Sequence, residues 1–135
     1  MLLRPARSAD APRLIGIRAP FARTASSSIT AADYEPCIAR GQIWVAEEAG
    51  AVLGFAALDA ATATVWALSV AREAQGRGAG RLLLDRLVAE ARRIGLPALR
   101  LETEAGSRAE RLYRAAGWTV AGRHGNGTLR MRLKP

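Results

Sequence analysis

The sequence predicts an α/β fold, a mixed sheet with helices packed on its faces, and three observations carry that prediction. Short runs rich in β-branched and aromatic residues recur along the chain, bounded by Gly, Asp and Asn. Between them lie segments whose apolar residues return every three to four positions. The resulting order, β-α-α-β-β-β-α-β-α-β-β, interleaves strands and helices instead of segregating them. With 135 residues, the chain can build one core and is too short for two, so residues 1–135 are read as a single domain.

Each element has a local reason. Leu2 to Arg4 reads as a short strand. Ala9-Asp10-Ala11-Pro12 offers an aspartate N-cap with proline in the first turn, opening a helix through about Arg18 that Pro20 limits. Residues 21–28, rich in Ser and Thr, read as a loop. Thr30 can cap a second helix, Ala31 to Arg40, which Gly41 stops. IWVAEEAGAVLGFAAL, Ile43 to Leu58, is two β-rich runs around Glu48-Ala49-Gly50 and so a hairpin, and Thr64 to Val70 is a third run of that kind. The clearest helix follows: Leu83, Leu87, Ala91 and Ile94 recur at helical spacing, Leu84 and Val88 widen the stripe, and Gly95 and Pro97 end it. Ala98 to Thr103 reads as a strand and Ser107 to Ala116 as a helix stopped by Gly117. Trp118 to Ala121 reads as a strand, and Thr128 to Leu133 as the last one, after the His124-Gly125-Asn126-Gly127 turn. On the helix from Ser107, Ala109, Leu112 and Ala116 form the core stripe and Tyr113 stands at its border.

Composition narrows the function classes. Half the residues are hydrophobic, yet no uncharged apolar run is long enough to cross a bilayer, and the start, MLLRPARSAD, lacks the core of a signal peptide. No membrane association and a cytoplasmic location are expected. Cys37 is the only cysteine and has no CxxC or Cys/His spacing near it, so it reads as a small buried residue and no metal site is expected. The net charge is +8, with 20 basic residues of which only Lys134 is lysine. Those residues are dispersed among acids from Arg4 to Arg132, which suits an anionic ligand and does not form the clustered stripe of a nucleic-acid interface. No specific nucleic-acid binding is expected.

The densest chemistry lies in SVAREAQGRGAG, Ser69 to Gly80, where three glycines stand between the third β run and the clearest helix. At such a junction the free backbone N–H groups and the positive end of the helix dipole point out together, a site for phosphate or pyrophosphate. Two familiar phosphate loops do not fit. A Walker A loop needs GxxxxGK and this region has no lysine; a Rossmann fingerprint counted from Gly76 needs glycine where Arg81 stands.

What the stretch resembles is the acetyl-CoA signature of the GNAT superfamily of N-acetyltransferases, (Gln/Arg)-x-x-Gly-x-(Gly/Ala), which Gln75, Gly78 and Gly80 match position by position. LSV, Leu68 to Val70, precedes it where the family places the strand that pairs with the pantetheine arm. RAERLYRAAGW, Arg108 to Trp118, resembles the family's A-x-x-L-Y-x-x-x-G-F segment with Trp118 in place of Phe, and the hairpin IWVAEEAGAVLGF resembles its second and third strands. The resemblance implies a mostly antiparallel sheet of about six to seven strands with helices on both faces. It also implies acetyl-CoA as co-substrate.

Carried over residue by residue, the resemblance implies that the backbone of Gln75, Gly76, Arg77, Gly78, Ala79 and Gly80 cradles the pyrophosphate, with Arg77 and Arg81 as side-chain contacts. Leu68 and Val70 would bind the pantetheine amides as if these were another strand. Tyr113 matches a tyrosine that protonates the departing thiolate, and Glu102, in LRLET, resembles a glutamate proposed as general base in members that acetylate protein N-termini. Water relayed to backbone carbonyls is the other candidate base. The chain departs from the family pattern at Arg72, where V-x-P-E has proline, and at Gly106, where an asparagine is common. His124 reads as a solvent-facing turn residue. Phe21, Tyr34 and Glu35 are candidate acceptor-pocket residues in the segment where the family varies most.

The function implied is acetyl-CoA-dependent transfer of an acetyl group to a primary amine of a small molecule or peptide by direct attack. Two alternatives stay open at this point: a non-catalytic acyl-CoA-binding module, and an acetyltransferase acting on a protein N-terminus or charged tRNA. A homodimer is open as well.

Overall fold

A computed structural model describes residues 1–18 and 30–135. Seven strands, β1 (Leu2–Pro5), β2 (Ile43–Glu48), β3 (Ala51–Asp59), β4 (Thr64–Val70), β5 (Leu99–Glu104), β6 (Thr119–Arg123) and β7 (Thr128–Leu133), form one sheet in the order β1-β2-β3-β4-β5-β7-β6. Every neighbouring pair is antiparallel except β4 with β5. Among the described residues, four α-helices cover it: α1 (Ala11–Arg18), α2 (Ala31–Ala39), α3 (Ala79–Arg93) and α4 (Arg108–Ala115). The mixed, mostly antiparallel sheet with helices on both faces is as expected. Phe21, Pro20 and the 21–28 loop lie outside the described residues.

Alternation along the strands divides the core in two. Trp44, Ala46, Ala56 and Leu58 face α3 and α4, together with Leu99, Leu101, Leu129 and Met131 of the strands beyond β4. Ile43, Val45, Phe55 and Ala57 face the other way, against Leu14 and Ile17 of α1 and Tyr34 of α2. β2 and β3 are buried on both faces, which is why their sequence is a nearly continuous apolar run.

Three local expectations are corrected. Asp10 is not the cap of α1: a 3₁₀ turn, Ser8–Asp10, precedes that helix, the Arg7 N–H donates to Asp10 Oδ2 at 2.7 Å, and Arg4 grips both Asp10 oxygens at 2.8 and 3.0 Å. Ile94 is not in the core stripe but caps α3 at 38% exposure. There the Leu96 N–H donates to Ala91 O at 2.9 Å and the Gly95 N–H to Arg92 O at 3.2 Å, a glycine-terminated helix end that turns Leu96, and not Ile94, onto the core. Cys37 is half-buried, on the edge of the α1–α2 layer. Thr30 does cap α2, with the Asp33 carboxylate accepting the Thr30 N–H at 2.7 Å.

Two features of β4 position the site. In its ladder with β3, Leu58 pairs with Val65 and Ala57 with Ala67, so Trp66 is an extra residue, a β-bulge that bends the strand. On its other side, β4 pairs with β5 only at Thr64 and Arg100, where the Arg100 N–H donates to Ala63 O at 3.0 Å. Beyond that pair the two parallel strands part towards their C-terminal ends.

Candidate active site

The parting of β4 and β5 opens a cleft of about 1000 Å³. From Trp66 to Val70, β4 has β3 on one side only, so the backbone N–H and C=O groups directed away from β3 face the opening unpaired by β5. Such an edge takes an extended, amide-bearing ligand as a further strand. Leu68 and Val70, two apart and so directing their backbone groups to the same side, both line the cleft.

The glycine-rich turn closes the C-terminal end. Gly78 is the N-cap of α3 in the left-handed region, φ 86°, and a Cβ there would meet nothing within 4 Å, so its requirement is conformational and the space above it is open. The first intrahelical bond is Leu82 N–H to Gly78 O at 3.1 Å, which leaves the amides of Ala79, Gly80 and Arg81 at the positive end of a 15-residue helix free for an anion. At Gly80 the requirement is packing: a Cβ would lie 3.2 Å from Leu112 Cδ2 and 3.7 Å from Val70 Cγ2, so this glycine lets α3 enter close against α4 and the end of β4. Gln75 holds the turn to the strand, its side-chain N–H donating to Val70 O at 3.3 Å.

The expected side chains divide clearly. Gln75, Gly76, Gly78, Ala79, Gly80 and Arg81 line the cleft, as do Glu102 and Tyr113. Arg77 does not: its guanidinium is paired with Glu48 at the hairpin. Arg81 is paired with Asp85 one turn along α3, at 3.0 Å. Arg108, at the first position of α4 and given no role by the sequence, lines the cleft, and a Cβ on Gly76 would come within 3.4 Å of its Nη2. The cue was a basic residue at the start of the helix that packs beside the glycine-rich turn.

Tyr113 is the most buried residue of α4 at 5% exposure, where the sequence reading put it at the border of the stripe; Ala109, Leu112 and Ala116 are the half-buried ones. The helix leans on the sheet through its tyrosine, whose ring centroid lies 5.7 Å from that of Trp118. Burial holds the phenol well above its ordinary pKa, so it stays protonated and able to donate. Glu102 stands opposite on β5, largely exposed, with His124 Nε2 3.1 Å from its Oε1. His124 is exposed as expected, but it is also a partner of the candidate base.

Of the candidate acceptor residues, Glu35 accepts a hydrogen bond from Ser8 Oγ at 2.9 Å and is not part of the cleft wall. Tyr34 is fully buried, packed between Phe55 and Trp66. Arg18, which the sequence reading passed over, does line the cleft. Among the described residues no cluster of three or more His, Cys, Asp or Glu could hold a metal ion, and no helix is long and apolar enough to cross a membrane.

Comparison with known proteins identifies the family. The family model of the acetyltransferase (GNAT) domain matches residues 39–120. No curated protein matches the chain. Among solved structures, yncA from Salmonella typhimurium with its cofactor acetyl-CoA is 28% identical at a TM-score of 0.79, covering 99% of this chain and 93% of that one. The ribosomal-protein-alanine N-acetyltransferase from Brucella melitensis is 25% identical at a TM-score of 0.78, covering 100% of each chain. Rv2747 from Mycobacterium tuberculosis, in complex with CoA and NLQ, shares the fold at a TM-score of 0.82 with 18% identity, covering 100% of this chain and 99% of that one. The chain belongs to the GNAT acetyltransferase family and is an acetyltransferase that takes acetyl-CoA as co-substrate.

Proposed function

We propose that residues 1–135 act as one N-acetyltransferase domain that moves the acetyl group of acetyl-CoA to a primary amine of a small molecule or peptide by direct attack. The observation that carries the reading is the convergence of the unpaired β4 edge, the free α3 amides, Tyr113 and Glu102 on one cleft. Acetyl-CoA supplies an activated thioester carbonyl. The open edge of Leu68 and Val70 holds the pantetheine arm, and the amides from Gln75 to Gly80 hold the pyrophosphate. Arg108 supplies the guanidinium over Gly76, so that Arg77 contributes through its backbone alone.

The amine attacks neutral, and Glu102 accepts the proton it loses as the new C–N bond forms, directly or through water. His124 beside Glu102 offers that proton a path to solvent. Tyr113, held protonated by its burial, donates its phenolic proton to the sulfur as the C–S bond breaks.

Thiol release from acetyl-CoA across a panel of amines tests the reading directly. Gly78→Val adds a branched side chain at a positive φ and fills the open space over the α3 amides, so the variant is expected to fold with reduced stability and to lose the melting-temperature rise that acetyl-CoA gives the parent. A Gly78→Val protein that binds CoA as tightly as the parent would show the cradle to be elsewhere.

A further inference from the structure

We propose that the acceptor amine carries a carboxylate and that Arg18 is the group that holds it. The proposal rests on the acetyl-transfer reading above and names the acceptor class that reading leaves open.

Arg18 ends α1 and reaches the cleft on the side of the β4 bulge, its guanidinium carbon 5.7 Å from the centroid of the Trp66 ring. Its Nη1 is buried and has no hydrogen-bond partner. A guanidinium N–H taken out of water without an acceptor is costly, and a charge-assisted bond to a carboxylate is the strongest way to satisfy it. Tyr34, fully buried and outside the cleft wall, stands behind this arginine: its ring packs 5.3 Å from the same Trp66 ring, and burial raises its phenol pKa against the neighbouring Arg18 charge.

The charges around the cleft give the acceptor its polarity. Glu102 and Glu104 line the β5 side, while Arg18 lines it near β4 and α1. An ammonium drawn to the carboxylates and a carboxylate drawn to Arg18 are the two ends of a free amino acid. A peptide amino terminus has lost its α-carboxylate to the peptide bond, and an alkylamine offers Arg18 nothing.

The test pairs each common L-amino acid with its carboxamide and follows both turnover and binding to the CoA-loaded protein. A roughly 10- to 100-fold preference in kcat/KM for at least one acid over its amide is expected. Arg18→Gln should erase that preference by lowering kcat/KM for the acid to the level of its amide, with the acetyl-CoA-dependent melting shift retained. Arg18→Lys, which keeps the charge and loses the planar fork, should recover part of it. Equal handling of every acid and amide by the parent, or a preference that survives Arg18→Gln, overturns the Arg18 site and leaves acetyl transfer standing. Carboxylate-selective binding that Arg18→Gln abolishes, without turnover of any amine, upholds the site and overturns the transfer reading.

Discussion

The Trp118 N–H donates to the Tyr113 carbonyl at 3.0 Å, and the rings of the same two residues meet at 5.7 Å. Both contacts come from one helix end. Gly117, at φ 93°, donates to Arg114 O at 3.0 Å, which brings the next residue back over the last turn of α4 and lays Trp118 on Tyr113. The motif AAGW thus fixes the position of the candidate acid from below.

Gly117→Ala should therefore cost stability and activity together. A Cβ at Gly117 would meet only Leu133 Cδ1, at an ordinary 3.8 Å, so the cost is conformational, about 1–2 kcal/mol for a non-glycine residue in the left-handed region. Denaturant unfolding reads the first effect. A kcat that falls with it, while affinity for acetyl-CoA holds, reads the displaced tyrosine; a stable variant with full turnover would separate Gly117 from the site.

Tyr113→Phe keeps the ring and removes only the hydroxyl, so kcat should drop roughly 10²-fold with acetyl-CoA affinity little changed. The pH dependence carries a second check. Burial raises the Tyr113 pKa above that of a free phenol, so the acid remains protonated up to at least about pH 10 while the neutral fraction of the amine grows. The parent kcat/KM should rise and level between pH 6 and 10 without a falling limb. A descending limb below pH 9 that vanishes in Tyr113→Phe would contradict the burial argument. The same shift has a stability sign: with the folded pKa above the unfolded one, stability is full below about pH 10 and is lost as pH rises further.

At the far edge of the sheet, Arg4 joins β1 to the turn before α1 and to β2, bonding both Asp10 oxygens and Glu47 with the Arg4 and Asp10 side chains only 14% and 12% exposed. The hydrogen bonds from Arg4 hold the Asp10 carboxyl below its ordinary pKa. A depressed folded pKa gives stability that is present above the unfolded value near 3.9 and lost as pH falls through the folded one. Asp10→Asn should lower stability at pH 7 by about 1.5–3 kcal/mol and flatten its decline between pH 4 and 2. Parallel acid-unfolding curves for parent and variant would show that the pair contributes little.

Much of this was legible in the sequence because periodicity and turn chemistry act locally. Leu83, Leu87 and Ala91 alone mark the buried face of α3, and Gly41, Gly95 and Gly117 mark three helix ends. The glycine-rich turn was legible because glycines stand out in the sequence wherever the backbone needs them, at Gly78 for a positive φ and at Gly80 for a close approach to Leu112 and Val70. What escaped depends on contacts between elements distant in the chain. Nothing local says that Arg18 reaches the β4 bulge, that Trp66 is the residue left over by the register, or that Tyr113 and not Leu112 is the buried side chain of α4. Arginines are the hardest case: Arg77, Arg81 and Arg108 look alike in sequence, and only the fold assigns each its partner.

The two arginines nearest Gly76, one within the glycine-rich turn and one on α4, should separate sharply for that reason. Arg77 lies within the turn itself, yet its guanidinium is held by Glu48 at the hairpin, half-exposed, where solvent screens the pair. Arg108 is 30 positions and more from the turn's first glycine in sequence terms yet sits over Gly76 and lines the cleft. A guanidinium can bond two phosphate oxygens at once, so removing the one that faces the site removes a charge-assisted contact, and removing the other removes a surface pair. Arg108→Ala should weaken acetyl-CoA binding roughly tenfold and reduce its sensitivity to salt, while Arg77→Ala should change affinity less than about twofold. Calorimetric titration of both variants at two ionic strengths decides the matter. Equal losses, or a larger loss for Arg77→Ala, would mean that Arg77 leaves Glu48 when the phosphates arrive and that Arg108 is the bystander.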